Sequence, residues 1–400
     1  MPCISRPRFL LLLVFFAATG GWLAAAGPAR GFDLAAAANK AGDGPFFFSV
    51  AVPEGNWRVT ITFGGAATGD TTVKAESRRL MIESLRTAPD ETVVRSFLVN
   101  VRDANIPPPP ANAPGGSAVV LNDREIGSFT WDDKLTLEFS GAPAVSTITL
   151  ERVEVPTVFL LGDSTVTDQR WEDGASWGQM LTRFFKPEIA VANHAESGET
   201  LKSFVTGLRF AKVLSQLQAG DWVFIQFGHN DQKQNWPQTY VEAGTTYRAW
   251  LRTYIAEIRL RGATPVLVTS PQRRTFGEDG RIRNTHSDYP AAVRAVAAQE
   301  QIPLIDLEAA SRALYEALGP ERSPLAFSNG GQDPTHHNNY GAYQLAKAVA
   351  QGIRDSAALA PLATFLTDDF TGYDPAAPDD PAVFRLPPSP QRSELRPRGD

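Results

Sequence analysis

Four short segments carry the residue types that acyl transfer needs: Gly162-Asp163-Ser164, Ser197-Gly198, Gly228-His229-Asn230-Asp231 and Asp333-Pro334-Thr335-His336. Ser164 can attack a carbonyl once a base takes its proton. His336 can be that base and later return the proton to a leaving alcohol. Asp333, three positions earlier, can hold the ring by its other nitrogen and stabilise the imidazolium. Asn230 offers an amide N–H to an oxyanion without a charge that must be desolvated. Gly198 lets a backbone N–H approach a substrate closely, because no side chain stands in the way. Each segment alone also has an ordinary reading. Ser164 could be a helix cap, Gly228 and Asn230 suit a turn, and Gly198 looks like any loop glycine. His337 is a rival base, but Pro334 stands where its acid would be. His229 reads as a packed support. A metal held by Asp333, His336 and His337 would lack both a His-Glu-x-x-His helix and a cysteine set. No metal or other cofactor is expected.

These segments need elements that bring them together. Residues 157–161 form a continuous apolar run ending at Gly162-Asp163-Ser164, and 221–227 a second ending at Gly228. Residues 264–269 and 302–307 read as further strands, and 189–193 as a strand before Ser197. Helical stretches intervene at 177–185, 204–218, 245–261 and 289–300, with Gly262 placed to end the third and 341–353 as a closing helix. Strands without alternation between amphipathic helices indicate a parallel sheet covered on both faces. Ligands of such sheets bind outside the carboxyl ends of the strands, where Ser164 and Asn230 fall. Ser164 is expected to open a helix whose N-terminus would favour negative charge.

The residues before position 155 follow another rhythm. Trp57, Val59, Ile61 and Phe63 alternate with Arg58, Thr60 and Thr62, the period of a half-buried strand. Residues 96–101, 135–139 and 147–153 add strands, and 107–110 are four prolines that must lie in an extended loop. Residues 32–154 therefore read as an all-β sandwich or jelly-roll domain. Past about Pro387 the chain is polar and proline-rich, so 361–400 is expected to be an extension disordered at its end.

Composition limits the function. A 400-residue chain suggests two domains. A net charge of -6 argues against nucleic acid as a partner, since counterion release needs a basic face. Arg6 and Arg8 precede an apolar run, and Ala24-Ala25-Ala26 suits cleavage before Gly27. Residues 1–26 are expected to be a signal peptide of a secreted or periplasmic protein. The run is shorter than the roughly 20 residues a spanning helix prefers, so no stable membrane insertion is expected. Cys3, the only cysteine, lies in that segment, which leaves the mature chain without disulfides or thiolate chemistry.

The four segments together resemble those of the SGNH (GDSL) hydrolases, named for Ser, Gly, Asn and His in separate blocks. The sequences Gly162-Asp163-Ser164-Thr165, Gln226 to Asp231 and Asp333-x-Thr335-His336 are similar to the rhamnogalacturonan acetylesterase branch. The resemblance covers about 157–353. It implies a flavodoxin-like three-layer α/β/α fold for 155–360, with Ser164, Asp333 and His336 as catalytic residues. It also implies Ser164, Gly198 and Asn230 as oxyanion donors, no metal, and release of acetate from pectic polysaccharide. The residues before 155 resemble the galactose-binding-like β domain of some bacterial members. Glu199-Thr200 departs from the Arg-Ser that often follows the glycine block, at a place that bears on the polysaccharide and not on the acyl chemistry. Trp236 could stack on sugar rings, as could Trp171, Trp177 and Tyr240. Lys233 and Arg273, with Arg274, could attract galacturonate carboxylates. The expected partner is an acetylated polysaccharide or oligosaccharide, bound by a monomer. The alternatives are an esterase of acetylated xylan or small esters, and a carbohydrate-binding protein with a dead site.

Overall fold

The computed structural model describes residues 11–14, 29–34 and 45–390. The expected signal peptide lies outside the described residues except for Leu11–Val14 (β1), which runs parallel to Phe46–Ala51 (β3). The first half of the chain is a sandwich of two sheets, antiparallel apart from that pair. One sheet has the order β1-β3-β8-β5-β6, adding Lys134–Ala142 (β8), Gly69–Ala75 (β5) and Arg79–Thr87 (β6). The other has the order β2-β9-β4-β7, from Arg30–Asp33, Val145–Val153, Gly55–Phe63 and Val93–Val101. The alternation in β4 works as expected: Trp57, Val59, Ile61 and Phe63 are buried against Leu135, Leu137 and Phe139 of β8.

The second half is a five-stranded parallel sheet, built from Thr157–Gly162 (β10), Ala190–Asn193 (β11), Trp222–Gln226 (β12), Thr264–Val268 (β13) and Leu304–Ile305 (β14). Its order is β11-β10-β12-β13-β14. Along β10, Val158 and Leu160 enter one core with the helices Trp177–Leu181, Leu307–Arg322 and Asn339–Asp355. Phe159 and Leu161 enter a second core with Leu201–Thr206, Arg209–Gln216, Thr246–Leu260 and Tyr289–Glu300. Both faces of each strand are therefore apolar, which is why the strands show no alternation. The first strand of this sheet lies between the second and the third. Connections leave it on opposite sides, and a crevice opens at its carboxyl end.

Local chemistry moves some boundaries. The helix expected over 204–218 is two helices, because Gly207 caps the first and Leu208 takes a left-handed φ of 61°. The strand expected over 302–307 stops at Ile305, because the Asp306 side chain caps the helix that follows. Residues 391–400 lie outside the described residues, but Pro387 to Ser389 do not form a loose tail. Lys74 Nζ donates to Pro387 O and Ser389 Oγ at 2.8 Å each, and Ser389 is buried.

That contact belongs to a charged interface between the two halves. Arg79 Nε donates to Asp168 Oδ2 at 2.6 Å, Arg124 pairs with Glu196 at 2.8 Å, and Arg209 grips both oxygens of Glu125. Arg102 donates to the carbonyl of Asn193. Strands β5 and β6 hide from sequence reading because their Lys74, Arg78-adjacent turn and Arg79 are buried here instead of alternating with apolar residues. Removing one partner of a buried ion pair typically costs about 3–5 kcal/mol, so neither half can lose the other without stranding charges.

Glu76 gives this interface a pH dependence. Burial pushes its carboxyl up to about 8 from 4.5, against the attraction of Arg79 and the N–H of Thr136. The folded chain then holds a proton that the unfolded chain has lost between those values, so stability should fall as pH rises through that window. Glu76→Gln should flatten the fall, leaving only the slope of other buried carboxylates. Urea midpoints measured from about pH 5 to about pH 8 check this; an unchanged slope in the variant contradicts it.

Candidate active site

Ser164 stands two residues past the end of β10, in a single turn and not at a helix start. The next helix begins at Trp177, so the helix-dipole expectation for Ser164 fails. Side chains build the turn instead. Asp163 Oδ1 accepts from the N–H and hydroxyl of Thr165 at 3.0 and 2.8 Å. Val166 N and Thr167 N both donate to Asp163 O at 3.0 Å. From the end of β12, Gln226 Nε2 donates to Thr165 Oγ1 at 2.7 Å, while its oxygen accepts from Trp177 Nε1 at 2.7 Å. Gly162 is required because a Cβ there would sit 2.8 Å from Gln226 O. Burial pushes Asp163 up to about 6, against the two bonds from Thr165.

His336 Nε2 lies 2.8 Å from Ser164 Oγ, and His336 Nδ1 lies 2.9 Å from Asp333 Oδ2. Asp333 Oδ1 accepts from the N–H groups of Thr335 and His336 at 2.7 and 3.0 Å, which closes the turn that carries both residues. Burial alone would raise the Asp333 carboxyl. The hydrogen bond and charge of His336, with the two N–H donors, overrule burial and hold it well below the usual carboxylate range. Asp333 is thus an ionised acceptor for the ring. The turn is pinned from three sides, by Arg274 N to Pro334 O at 2.8 Å, Ser328 N to His336 O at 2.9 Å and Ala175 N to His337 O at 2.8 Å.

The oxyanion candidates meet at the same edge. Gly198 has a φ of +82°, which an L side chain rarely adopts, and is the half-exposed residue in an otherwise buried stretch. Asn230 Nδ2 donates to Glu199 O at 3.1 Å, which ties the Asn230 segment to the Gly198 segment. Asp231 reinforces the tie by accepting from Leu201 N and Gly228 N at 2.9 Å each. Glu196 N donates to Gly162 O at 3.1 Å, joining the Gly198 segment to the end of β10. An amide nitrogen carries two hydrogens, so Asn230 keeps one for a ligand.

The other histidines take other partners. His337 Nε2 is 2.6 Å from Tyr315 Oη, and burial pushes the ring down to about 3. It therefore shares no ligand position with His336. His229 Nδ1 contacts His286 Nε2 at 3.0 Å, and burial drives both rings to the neutral form. Among the described residues, no group of three or more His, Cys, Asp or Glu side chains is placed to hold a metal ion.

Lys233, Trp236 and Arg273 sit in the loops around this edge. Lys233 Nζ lies 4.3 Å above the centroid of the Trp236 ring, both half-buried in the loop that follows Asn230. Arg273, in the loop after β13, donates to His229 O at 3.4 Å. Trp177 is buried in the core, so it cannot stack on a sugar. The Glu199 side chain is taken by Arg209 Nε at 3.0 Å and Ser203 Oγ at 2.5 Å, so the departure from Arg-Ser is answered inside the protein by Arg209 and Glu125. Sequence reading missed Gln226 and Asp231 as supports, although both belong to the segments it quoted. It also missed Gln169, whose Nε2 donates to Ser164 O at 2.7 Å and which no motif marks.

Residues 160–345 match the GDSL-like lipase/acylhydrolase family. The chain is 40% identical over 211 residues to rhamnogalacturonan acetylesterase RhgT of Bacillus subtilis, covering 50% of this chain and 89% of that protein. It is 39% identical over 203 residues to the probable rhamnogalacturonan acetylesterase YesY of the same organism, covering 50% and 92%. A longer alignment, 26% identical over 312 residues, joins it to the uncharacterized esterase YxiM of B. subtilis, covering 77% and 74%. No helix among the described residues is long and apolar enough to cross a membrane. The chain belongs to the GDSL-like lipase/acylhydrolase family and is a carboxylic ester hydrolase similar to rhamnogalacturonan acetylesterases.

Proposed function

We propose that this protein is exported through its 1–26 segment and removes O-acetyl groups from rhamnogalacturonan or a related pectic polysaccharide. The hydrogen-bonded chain Ser164 Oγ, His336 Nε2, His336 Nδ1 and Asp333 Oδ2, at 2.8 and 2.9 Å, carries the mechanism. Ser164 Oγ attacks the acetyl carbonyl as its proton passes to His336 Nε2. The tetrahedral oxyanion accepts hydrogen bonds from the N–H groups of Ser164 and Gly198 and from the free amide hydrogen of Asn230. Collapse breaks the bond to the sugar oxygen, which leaves with the proton from His336. Water then attacks the acetyl-Ser164, giving its proton to His336, and collapse breaks the bond to Ser164 Oγ, which takes that proton back from His336 as acetate departs. Asp333 stays ionised and stabilises the imidazolium in both halves.

The 40% identity to RhgT, a protein named for rhamnogalacturonan, supports the substrate class. The loops around the site add a physical reason. Lys233 covers one face of the Trp236 indole, which leaves the opposite face as the one to stack on a sugar ring, and the Lys233 and Arg273 cations suit the carboxylates of galacturonate.

Ser164→Ala should abolish acetate release while leaving the circular dichroism spectrum unchanged; activity kept by the folded variant sinks the mechanism. Asn230→Ala should lower kcat by about 10²–10³-fold with little change in KM. A loss below about 10-fold removes Asn230 from the oxyanion role. Acetate release should favour acetylated pectin over acetylated xylan and a short aryl acetate. Arg273→Glu should raise KM on the pectic substrate alone. Equal KM changes on neutral xylan would place Arg273 outside carboxylate recognition.

A further inference from the structure

The buried guanidinium of Arg78 belongs to the β domain but ends between the two arms of the catalytic site. Its Nη1 donates to Gln169 O at 3.1 Å and to Gly174 O at 2.7 Å. Its Nη2 donates to Asn339 Oδ1 at 3.0 Å and pairs with Glu172 Oε1 at 2.6 Å. Gln169, Glu172 and Gly174 lie on the segment that runs on from Ser164, and Gln169 returns to it by donating Nε2 to Ser164 O at 2.7 Å. Asn339 is three residues past His336 and opens the closing helix. One side chain therefore touches a residue that grips the nucleophile's own carbonyl and a residue at the start of the helix that follows the base.

We infer that Arg78 is a positioning residue for the acyl transfer: it ties the Ser164 segment to the His336 segment, so the β domain is part of the catalytic apparatus. Several features favour this over ordinary interface packing. Arg78 has a φ of +67°, outside the usual range for a long side chain, and such strain persists only where the surroundings impose it. The planar fork of arginine can serve four acceptors on two segments at once, which an ammonium on a flexible stem cannot. Arg124, also from the β domain, donates to Gln169 Oε1 at 3.2 Å, so Gln169 is held from the same side at both its main chain and its side chain. Glu172 balances the charge and in turn accepts from Asn339 Nδ2 at 3.1 Å, closing a ring of contacts. The consequence is kinetic. A misplacement of about 1 Å between reacting groups can cost on the order of 10²-fold in rate.

The inference rests on Ser164 and His336 being the reacting pair, which Ser164→Ala tests separately. Arg78→Met keeps the bulk and removes the fork. On a short aryl acetate, which does not engage polysaccharide subsites, kcat should fall by about 10-fold or more with KM within about twofold. Labelling of Ser164 by a small fluorophosphonate should slow in parallel. A folded Arg78→Met with kcat within about twofold of the parent overturns the proposal. So does a loss that tracks the unfolded fraction and vanishes when the assay is cooled. If Arg78→Met does not fold, Asn339→Ala decides. It frees the His336 arm while leaving Arg78 and Glu172 paired. A fall in kcat at unchanged KM and unchanged unfolding midpoint supports the inference, and an unchanged kcat overturns it.

Discussion

A hydrogen bond of 2.8 Å joins Ser164 Oγ to His336 Nε2 across 172 positions of sequence, and the rest of the molecule is arranged to hold it. Neither residue sits on a helix or a strand. Ser164 lies on a turn past the end of β10, and His336 on a turn before the closing helix. Two loops cannot hold a separation of that order by themselves. Rigidity comes from the sheet beneath, where β10 lies between β11 and β12, so three strand ends present Ser164, Gly198 and Asn230 side by side. It also comes from buried polar bridges between loops: Gln226 to Thr165, Asn230 to Glu199, Asp231 to Leu201 and Arg274 to Pro334. Each satisfies a group that burial would otherwise leave unpaired, so a shift of any loop leaves a costly orphan.

The two halves of the chain share this logic. Two domains that merely sat beside each other would meet through a modest polar surface and move independently. Here Lys74, Arg78, Arg79, Arg102 and Arg209 are buried, with Glu125, Glu138, Asp168, Glu172, Glu196 and Glu199 among their acidic companions. The ions are desolvated, and the partners that cross the junction, Asp168 for Arg79, Glu172 for Arg78 and Glu125 for Arg209, are in place only when both halves are docked. Pro387 and Ser389 join the same cluster through Lys74, so residues 387–389 close over the junction the chain has already crossed. Such a junction favours one relative placement of the halves over the many that an apolar contact would tolerate.

How much of this is legible in sequence depends on where the determining interaction lies. The parallel sheet and its flanking helices are legible, because apolar runs and helical periodicity are local. The catalytic segments are legible because each places its special residues at a strand end or on a short turn, where type and spacing carry the chemistry. The Ser164 turn misleads, since the segment after it has the length of a helix while Asp163 and Thr165 close a single turn instead. Strands β5 and β6 are hidden because their buried positions include Lys74 and Arg79, whose partners lie far away in the chain. Residues 387–389 read as a loose segment for the same reason: Ser389 is polar, and its partner Lys74 is 315 positions distant. Glu199 looks like a change at a substrate surface, yet its partner Arg209 turns it into an internal charge. Local patterns give the catalytic parts, and long-range charge pairing determines how they are held.

The most direct measurement is single-turnover mixing of the full-length enzyme with an acetylated substrate, quenched by acid on the millisecond scale, followed by mass mapping of every acetylated peptide. Transient acetyl on Ser164 and on no other side chain is the predicted result, appearing before free acetate and decaying as acetate forms. Acetate released with no acetyl ever found on Ser164, or acetyl carried by another residue, would contradict nucleophilic catalysis at this site.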